Sequence, residues 1–453
     1  MSRWSIPAAA VAAAAAILTA GCGSAGPGGP GAVDGAAAVV PADAVAFVAA
    51  STDLSSSEWH GLAQPFLQRF EPYRAALGSE LDVAVLPSRQ VVALTQPHDA
   101  QKLAALAAQR NAQTRTIGGW TAIGQTTAAL DAVAGATSHL SDSNVFVEAM
   151  NELPGDALVR AYGNGEEAAQ LMSSLPGQLQ GTTVPGGVRF RYHASAKPSR
   201  FNVATTDFKW IAAAVTSESG GVLRLRAIVR PAGLTASGPA RYIIHPTAPY
   251  RAALTDEIPA GVLAAADFQV PAGAFDSVQP PKQLQQLYGQ SAALVPGWLD
   301  ELLGGETAVY VRGGAPLPEL TLVTQPADTS AAAQALDSLL AGLPAGNPLR
   351  GVKLVHASIG GQFVVSTTQA GIDAFRGGGA KLSSDPRFVQ AAKQAGMGAE
   401  TTGFVYGNVA DLLPFLTLAG VSPPRGLPSV GTVFAFGDRS NGESSYQAFM
   451  SVG

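Results

Sequence analysis

The side chains that could do chemistry in this chain are few and scattered. One cysteine, Cys22, stands among 453 residues, so no intrachain disulfide can form. The six histidines, His60, His98, His139, His193, His245 and His356, show no H-x-x-x-H, H-x-E or C-x-x-C spacing. A metal needs several His, Cys, Asp or Glu ligands, usually with some close in sequence, so no metal site is expected. Ser291, in Gly289-Gln290-Ser291-Ala292-Ala293, lacks the closing glycine of a nucleophile elbow and the strand that must precede one, and no Ser-x-x-Lys occurs. The glycine run Arg376-Gly377-Gly378-Gly379-Ala380-Lys381 lacks the Gly-Lys-Ser/Thr ending that cradles a phosphate and reads as a turn. The sequence thus offers no catalytic residue and no cofactor site, and an enzyme is not expected.

Cys22 has a different context. Arg3 gives a short positive start, Ala8 opens an unbroken apolar run ending at Leu18, and small residues follow, the pattern of an export signal. Leu18-Thr19-Ala20-Gly21-Cys22 resembles the bacterial lipobox, in which a diacylglyceryl group joins the cysteine thiol and the chain is cut just before it. Residues 1–21 are therefore expected to be a lipoprotein signal peptide and Cys22 a lipidated (palmitate-type) anchor, holding an exported protein on the outer face of the cytoplasmic membrane. Residues 22–38, rich in Gly and Pro, read as a flexible tether with a reach of roughly 22 Å by the square-root rule for such chains.

Composition narrows the partners. Charged residues are only 13%, net charge is −5, and Gly (51) and Pro (31) are abundant. Nucleic acid is excluded as a partner because phosphate binding needs clustered Lys and Arg. Beyond the first residues no apolar run approaches the ~18 to 20 needed to span a bilayer.

The elements that would position any site occur twice. Ile117-Gly118-Gly119 recurs as Ile359-Gly360-Gly361, Leu130-Asp131-Ala132 as Ile372-Asp373-Ala374, Leu140-Ser141 as Leu382-Ser383, and Phe146-Val147 as Phe388-Val389, always 242 residues later. Tyr162-Gly163-Asn164 returns as Tyr406-Gly407-Asn408 at 244, and Thr95-Gln96-Pro97 as Thr324-Gln325-Pro326 at 229. The fold expected is α+β, with two tandem homologous lobes, 39–250 and 251–453, each mainly antiparallel sheet packed with helices. A helix is predicted over 59–77 from the spacing of Trp59, Leu62, Phe66, Phe70, Tyr73 and Leu77. A hairpin is expected around Pro87-Ser88, and another at Asn441-Gly442, the type I′ signal. Asp99 and Asp328 read as N-caps, as do Ser143 and Asp385, with Pro386 at the first helical position. A duplicated catalytic site would duplicate its acids and bases. Only Asp131 and Asp373 are seen to recur, and they read as solvated helix acids; Glu148 faces Gln390, His139 faces Lys381, and His356 faces Thr114.

Pro41-Ala42-Asp43-Ala44-Val45-Ala46-Phe47, Ser384-Asp385-Pro386-Arg387-Phe388 and Phe404-Val405-Tyr406-Gly407-Asn408 resemble a family of actinobacterial and cyanobacterial envelope proteins catalogued as a domain of unknown function. The resemblance implies an exported, lipid-anchored α+β protein of no assigned activity. The leading expectation is a non-enzymatic envelope protein that binds a protein partner or stabilises an assembly. The alternative is a binder or carrier of an apolar envelope ligand such as a lipid, suggested by low charge and by Trp59, Trp120, Trp210 and Trp298, which at such spacings read first as core.

Overall fold

The computed structural model describes residues 34–52, 73, 75–165, 208–218, 222–231, 248–275, 288–314, 318–343, 353–418, 430–440 and 443–452. The helix expected over 59–77 lies almost wholly outside them.

Sixteen strands are hydrogen-bonded into one antiparallel sheet. In chain order they are β1 (Ala46–Ser51), β2 (Glu80–Val85), β3 (Val91–Thr95), β4 (Gln113–Ile117), β5 (Trp120–Gly124), β6 (Val159–Asn164), β7 (Phe208–Glu218) and β8 (Val222–Pro231). Then come β9 (Val262–Val270), β10 (Gly305–Arg312), β11 (Glu319–Thr324), β12 (Val355–Ile359), β13 (Gln362–Ser366), β14 (Gly403–Asn408), β15 (Val430–Ser440) and β16 (Glu443–Val452). From one edge inward the order is β4-β5-β3-β2-β1-β6-β7-β8, and from the other β12-β13-β11-β10-β9-β14-β15-β16. Each strand of the second series thus holds the place of the strand eight earlier in the first. The expected α+β class with antiparallel sheet holds, and the halves meet edge to edge at β8 and β16, with Ser451 opposite Val222.

Among the described residues eight helices flank the sheet: α1 (Ala100–Ala108), α2 (Thr127–Ala134), α3 (Asn144–Asn151), α4 (Val295–Leu303), α5 (Thr329–Ala341), α6 (Gln369–Arg376), α7 (Pro386–Ala395) and α8 (Val409–Leu418). Their starts follow capping chemistry. Asp99 accepts from the Lys102 N–H, Asp328 from Ser330 and Ala331, Ser143 from Phe146, and Asp385 from Arg387 ahead of a helix whose first residue is Pro386. Thr126 and Thr368 cap α2 and α6 in the same way.

On one face α2 and α3 cover the first half and α6 and α7 the second; α1 and the pair α4–α5 cover the outer strands of the opposite face. Phe146 meets Tyr162 edge-on at 5.1 Å and 80°, and Phe388 meets Tyr406 at 5.4 Å and 83°, a geometry favoured by the ring quadrupoles. These repeated aromatics therefore fasten a helix to a sheet strand in each half. Arg224 on β8 crosses the join, donating to the carbonyls of Gln394 (2.8 Å) and Ala395 (3.0 Å) at the C-terminus of α7, where a cation complements the helix dipole.

The repeated Gly-Gly turns link β4 to β5 and β12 to β13. Gly118 and Gly119 have φ of 55° and 84°, and Gly360 and Gly361 of 60° and 88°, the left-handed pair of a type I′ hairpin. Substituting Gly361→Ala places a Cβ with nothing within 4 Å, so only backbone strain is felt, and stability should fall by about 1 to 2 kcal/mol. Gly118→Ala adds a Cβ 2.5 Å from Val39 Cγ1 and should cost more. Urea unfolding of the two variants checks that order.

Candidate functional site

Cys22, His60, His193, His245 and Trp59 lie outside the described residues. Asp131 and Asp373 sit on exposed helix faces, Asp131 paired with Arg115 at 2.5 Å and Asp373 taking hydrogen bonds from Gln369 (3.0 Å) and Arg376 (3.3 Å). Glu148 accepts from Lys209 (2.7 Å) and Arg230 (2.9 Å), which hold its carboxyl below the usual range. His139 and Lys381 occupy matching places, each bridged to a proline, Pro41 and Pro259. His356 lies on the edge strand β12 against Phe363, and Ser291 falls in the 3-10 turn Gly289–Leu294. Trp120 and Trp210 are buried in the core, and Trp298 packs edge-on Tyr288. Among the described residues, none of the acids and bases named from the sequence joins another of them in a shared buried cluster.

The structure does gather a different set. Near its start each half has a short 3-10 turn, Gly35–Ala38 in the first and Ala253–Asp256 in the second, laid on the buried face of the sheet. Residues 35–38 had been expected to belong to the tether. They are folded because Ala36 and Ala37 are buried in the core and because two carboxylates receive their N–H groups. Gly35 N donates to Glu80 Oε1 (2.9 Å) and Ala36 N to Asp82 Oδ2 (3.0 Å). In the second half Leu254 N donates to Glu306 Oε1 (2.7 Å), and the Ala253 N–H also reaches Glu306.

Each glutamate is joined by an aspartate, on the same strand in the first half and on the neighbouring strand in the second. Asp82 lies on β2 with Ala49 of β1 opposite; Asp267 lies on β9 with Ala308 of β10 opposite. β9 holds the place of β1 and β10 that of β2, so the aspartate has changed sides of one cross-strand pair while its contact with the glutamate is kept. Asp82 is 0% exposed and Asp267 1%. Around Asp82 lie Asp34 and the Arg160 guanidinium, which is ion-paired to Asp34 and donates to the Met150 carbonyl. Around Asp267 lies Tyr250, whose hydroxyl donates to Asp267 Oδ1 at 2.5 Å.

Two adjoining buried carboxyls cannot both ionise cheaply. Burial is the largest cause, and the charge of the neighbouring glutamate adds to it: Asp82 is pushed well above the usual carboxylate range and Asp267 up to about 8. Glu80 and Glu306 are also raised by burial, but the backbone N–H groups and the hydrogen bond from the aspartate oppose the rise. The proton therefore resides on the aspartate. Asp82 Oδ1 and Asp267 Oδ2 accept no other hydrogen bond, which leaves each free to carry that proton toward the glutamate. Tyr250 is raised by burial and by the Asp267 charge beside it, so it stays a donor. The chemistry available is exchange of one proton per pair, on aspartates that are buried.

The signal for the glutamates was present in the sequence as Glu80-Leu81-Asp82-Val83-Ala84-Val85 against Glu306-Thr307-Ala308-Val309-Tyr310-Val311, a recurrence at 226 residues. Asp131 and Asp373 are thus not the only acids shared by the two halves. Among the described residues no group of three or more His, Cys, Asp or Glu could hold a metal ion, and no helix is long and apolar enough to cross a membrane. Comparison with protein-family models, curated proteins and solved structures finds no match.

Because folded Asp267 keeps a proton that the unfolded chain loses near its ordinary value of 3.8, its contribution is fully present below that value. It is lost as pH rises through about 8. Stability should fall across that window with a slope of up to about 1.4 kcal/mol per pH unit from this group. Asp267→Asn preserves both hydrogen bonds, since the amide donates to Glu306 and its carbonyl accepts from Tyr250. It should flatten that slope when melting temperature is followed against pH.

Proposed function

We propose that this is a lipid-anchored protein of the outer face of the cytoplasmic membrane, built from two copies of one unit, that acts by binding rather than by catalysis. The observation that carries the reading is the use made of the displaced carboxyls. Groups with strongly shifted pKa are the first suspects for catalysis, yet here both aspartates are buried in the core and each pair holds a backbone turn. The duplication is supported by element boundaries. β4, β5, α2, the 3-10 turn Leu140–Asp142 and the start of α3 are each matched 242 residues later, by β12, β13, α6, Leu382–Ser384 and the start of α7.

The anchor rests on the sequence around Cys22. A protein partner is the leading occupant of the binding surface. A second reading, an apolar ligand such as a lipid, is favoured by Val405 (53% exposed) and Phe268 (37%), neighbours on the same face of β14 and β9. Exposed apolar side chains of this size, grouped on one sheet face, mark contact sites.

Labelling cells with a fatty acid should mark the wild-type chain and not Cys22→Ala, which should also leave the membrane fraction. Equal label in both would overturn the anchor. Native mass spectrometry of protein purified from its own membrane then separates the occupants. A co-purifying chain lost in Val405→Asp supports the partner reading, and a retained lipid lost in the same variant supports the second.

A further inference from the structure

We propose that each carboxyl pair is a protonation-controlled latch on the turn it holds: with the shared proton in place the turn lies closed on the sheet, and loss of the proton lifts it. The geometry makes the turn dependent on the pair. Gly35 and Ala36 in the first half, and Leu254 in the second, direct their N–H groups at carboxylate oxygens carried by strands about fifty residues away in sequence. A helical turn leaves its first N–H groups without internal partners, so a side-chain acceptor must supply them.

Other ties flank each turn. Downstream, Leu140 N donates to Val40 O at 2.9 Å and Leu382 N to Ile258 O at 2.8 Å; upstream, Asp34 pairs with Arg160 in the first half and Tyr250 exchanges two backbone hydrogen bonds with Thr401 (2.9 Å each) in the second, so the turn is hinged at both ends and its own first N–H groups are held by the acids. Removing the proton places two like charges in contact in the core beside a turn whose burial depends on them. Moving the turn outward lets water in, and this relieves the repulsion at the cost of exposing Ala36 and Ala37 in the first half and Leu254 in the second.

The charged and titratable groups around each pair set its environment. At the first they are Asp34 on the turn's leading edge and Arg160 on β6. At the second they are Tyr250 before the turn and Asp256 within it. Phe404 stands opposite Asp267 where Arg160 stands opposite Ala49, so among the described residues the second latch has no buried cation in Arg160's place; the exposed Arg251 pairs with Asp256 at 2.8 Å. The second latch should therefore open first.

Amide hydrogen exchange of the full chain between about pH 5.5 and 9.5, corrected for the intrinsic pH dependence of exchange, tests this. The segment around Ala253–Asp256 should lose about tenfold or more of its protection on the alkaline side while β9, the strand that carries Asp267, keeps its own. In Asp267→Asn the protection should stay level. Should that variant fail to fold, Glu306→Gln serves, because its carbonyl still accepts from Leu254 and its amide donates to an ionised Asp267; it too should be level. Unchanging protection in the wild type, an alkaline loss that persists in the variant, or a loss shared equally by β9 would each overturn the latch.

Discussion

The hydrogen bond from a buried aspartic acid to a buried glutamate, and from that pair to the backbone of a short turn, is the interaction on which the architecture depends. A turn that crosses the apolar face of a sheet brings N–H groups into a region without water, and an unmet donor there costs about 1 to 3 kcal/mol. A single ionised carboxylate could meet them only at a heavy desolvation cost. A protonated neighbour lowers that cost by delocalising the charge over a second hydrogen bond. The two halves reach this arrangement from opposite strands of the same pair, Asp82 across from Ala49 and Asp267 across from Ala308. The contact between the acids is thus the retained feature and the aspartate's position is not.

Around that point the sheet is organised from the middle outward. The long hairpins β7–β8 and β15–β16 meet at the centre, and the edges are the five-residue strands β4 and β12, short enough to limit edge-to-edge pairing. Aromatic side chains lock the helices of one face, Phe146 on Tyr162 and Phe388 on Tyr406, and Arg224 ties the first half to α7 of the second. The opposite face is less evenly treated, with Val405 and Phe268 open in the second half where Ala161 in the first is buried. That difference gives the halves different surfaces on one scaffold.

Much of the local structure was legible in the residues. The caps at Asp99, Ser143, Asp328 and Asp385, the Gly-Gly turns, and the hairpin between β2 and β3 are governed by chemistry within a few positions, and each lies where its residue type places it. Ser440 pairs with Glu443, as the two-residue Asn441-Gly442 connection requires. What escaped was governed at a distance. Gly35–Ala38 carries no periodicity and merges with the glycine-rich stretch before it, and its burial is decided by Glu80 and Asp82. The Glu80–Glu306 recurrence falls at 226, apart from the 229 and 242 of the clearer repeats, because the connecting loops differ in length. Asp82 and Asp267 align with alanines, so no comparison of the two halves by residue type could join them. The choice of β8 and β16 as the seam depends on which edges are free once the sheet is built, which local pattern does not record.

Moving the aspartate within the first half tests the dependence most directly. Asp82→Ala leaves the Ala36 N–H and Glu80 without their partner and should lower the unfolding free energy by about 1 to 3 kcal/mol. Adding Ala49→Asp restores a carboxyl at the position that Asp267 holds in the second half, directly across from Arg160. Chemical denaturation of the wild type, both single variants and the double variant gives the coupling between the two sites. The account predicts that the double variant recovers at least half of the loss seen in Asp82→Ala; losses that simply add, leaving the double variant less stable than either single one, would contradict it.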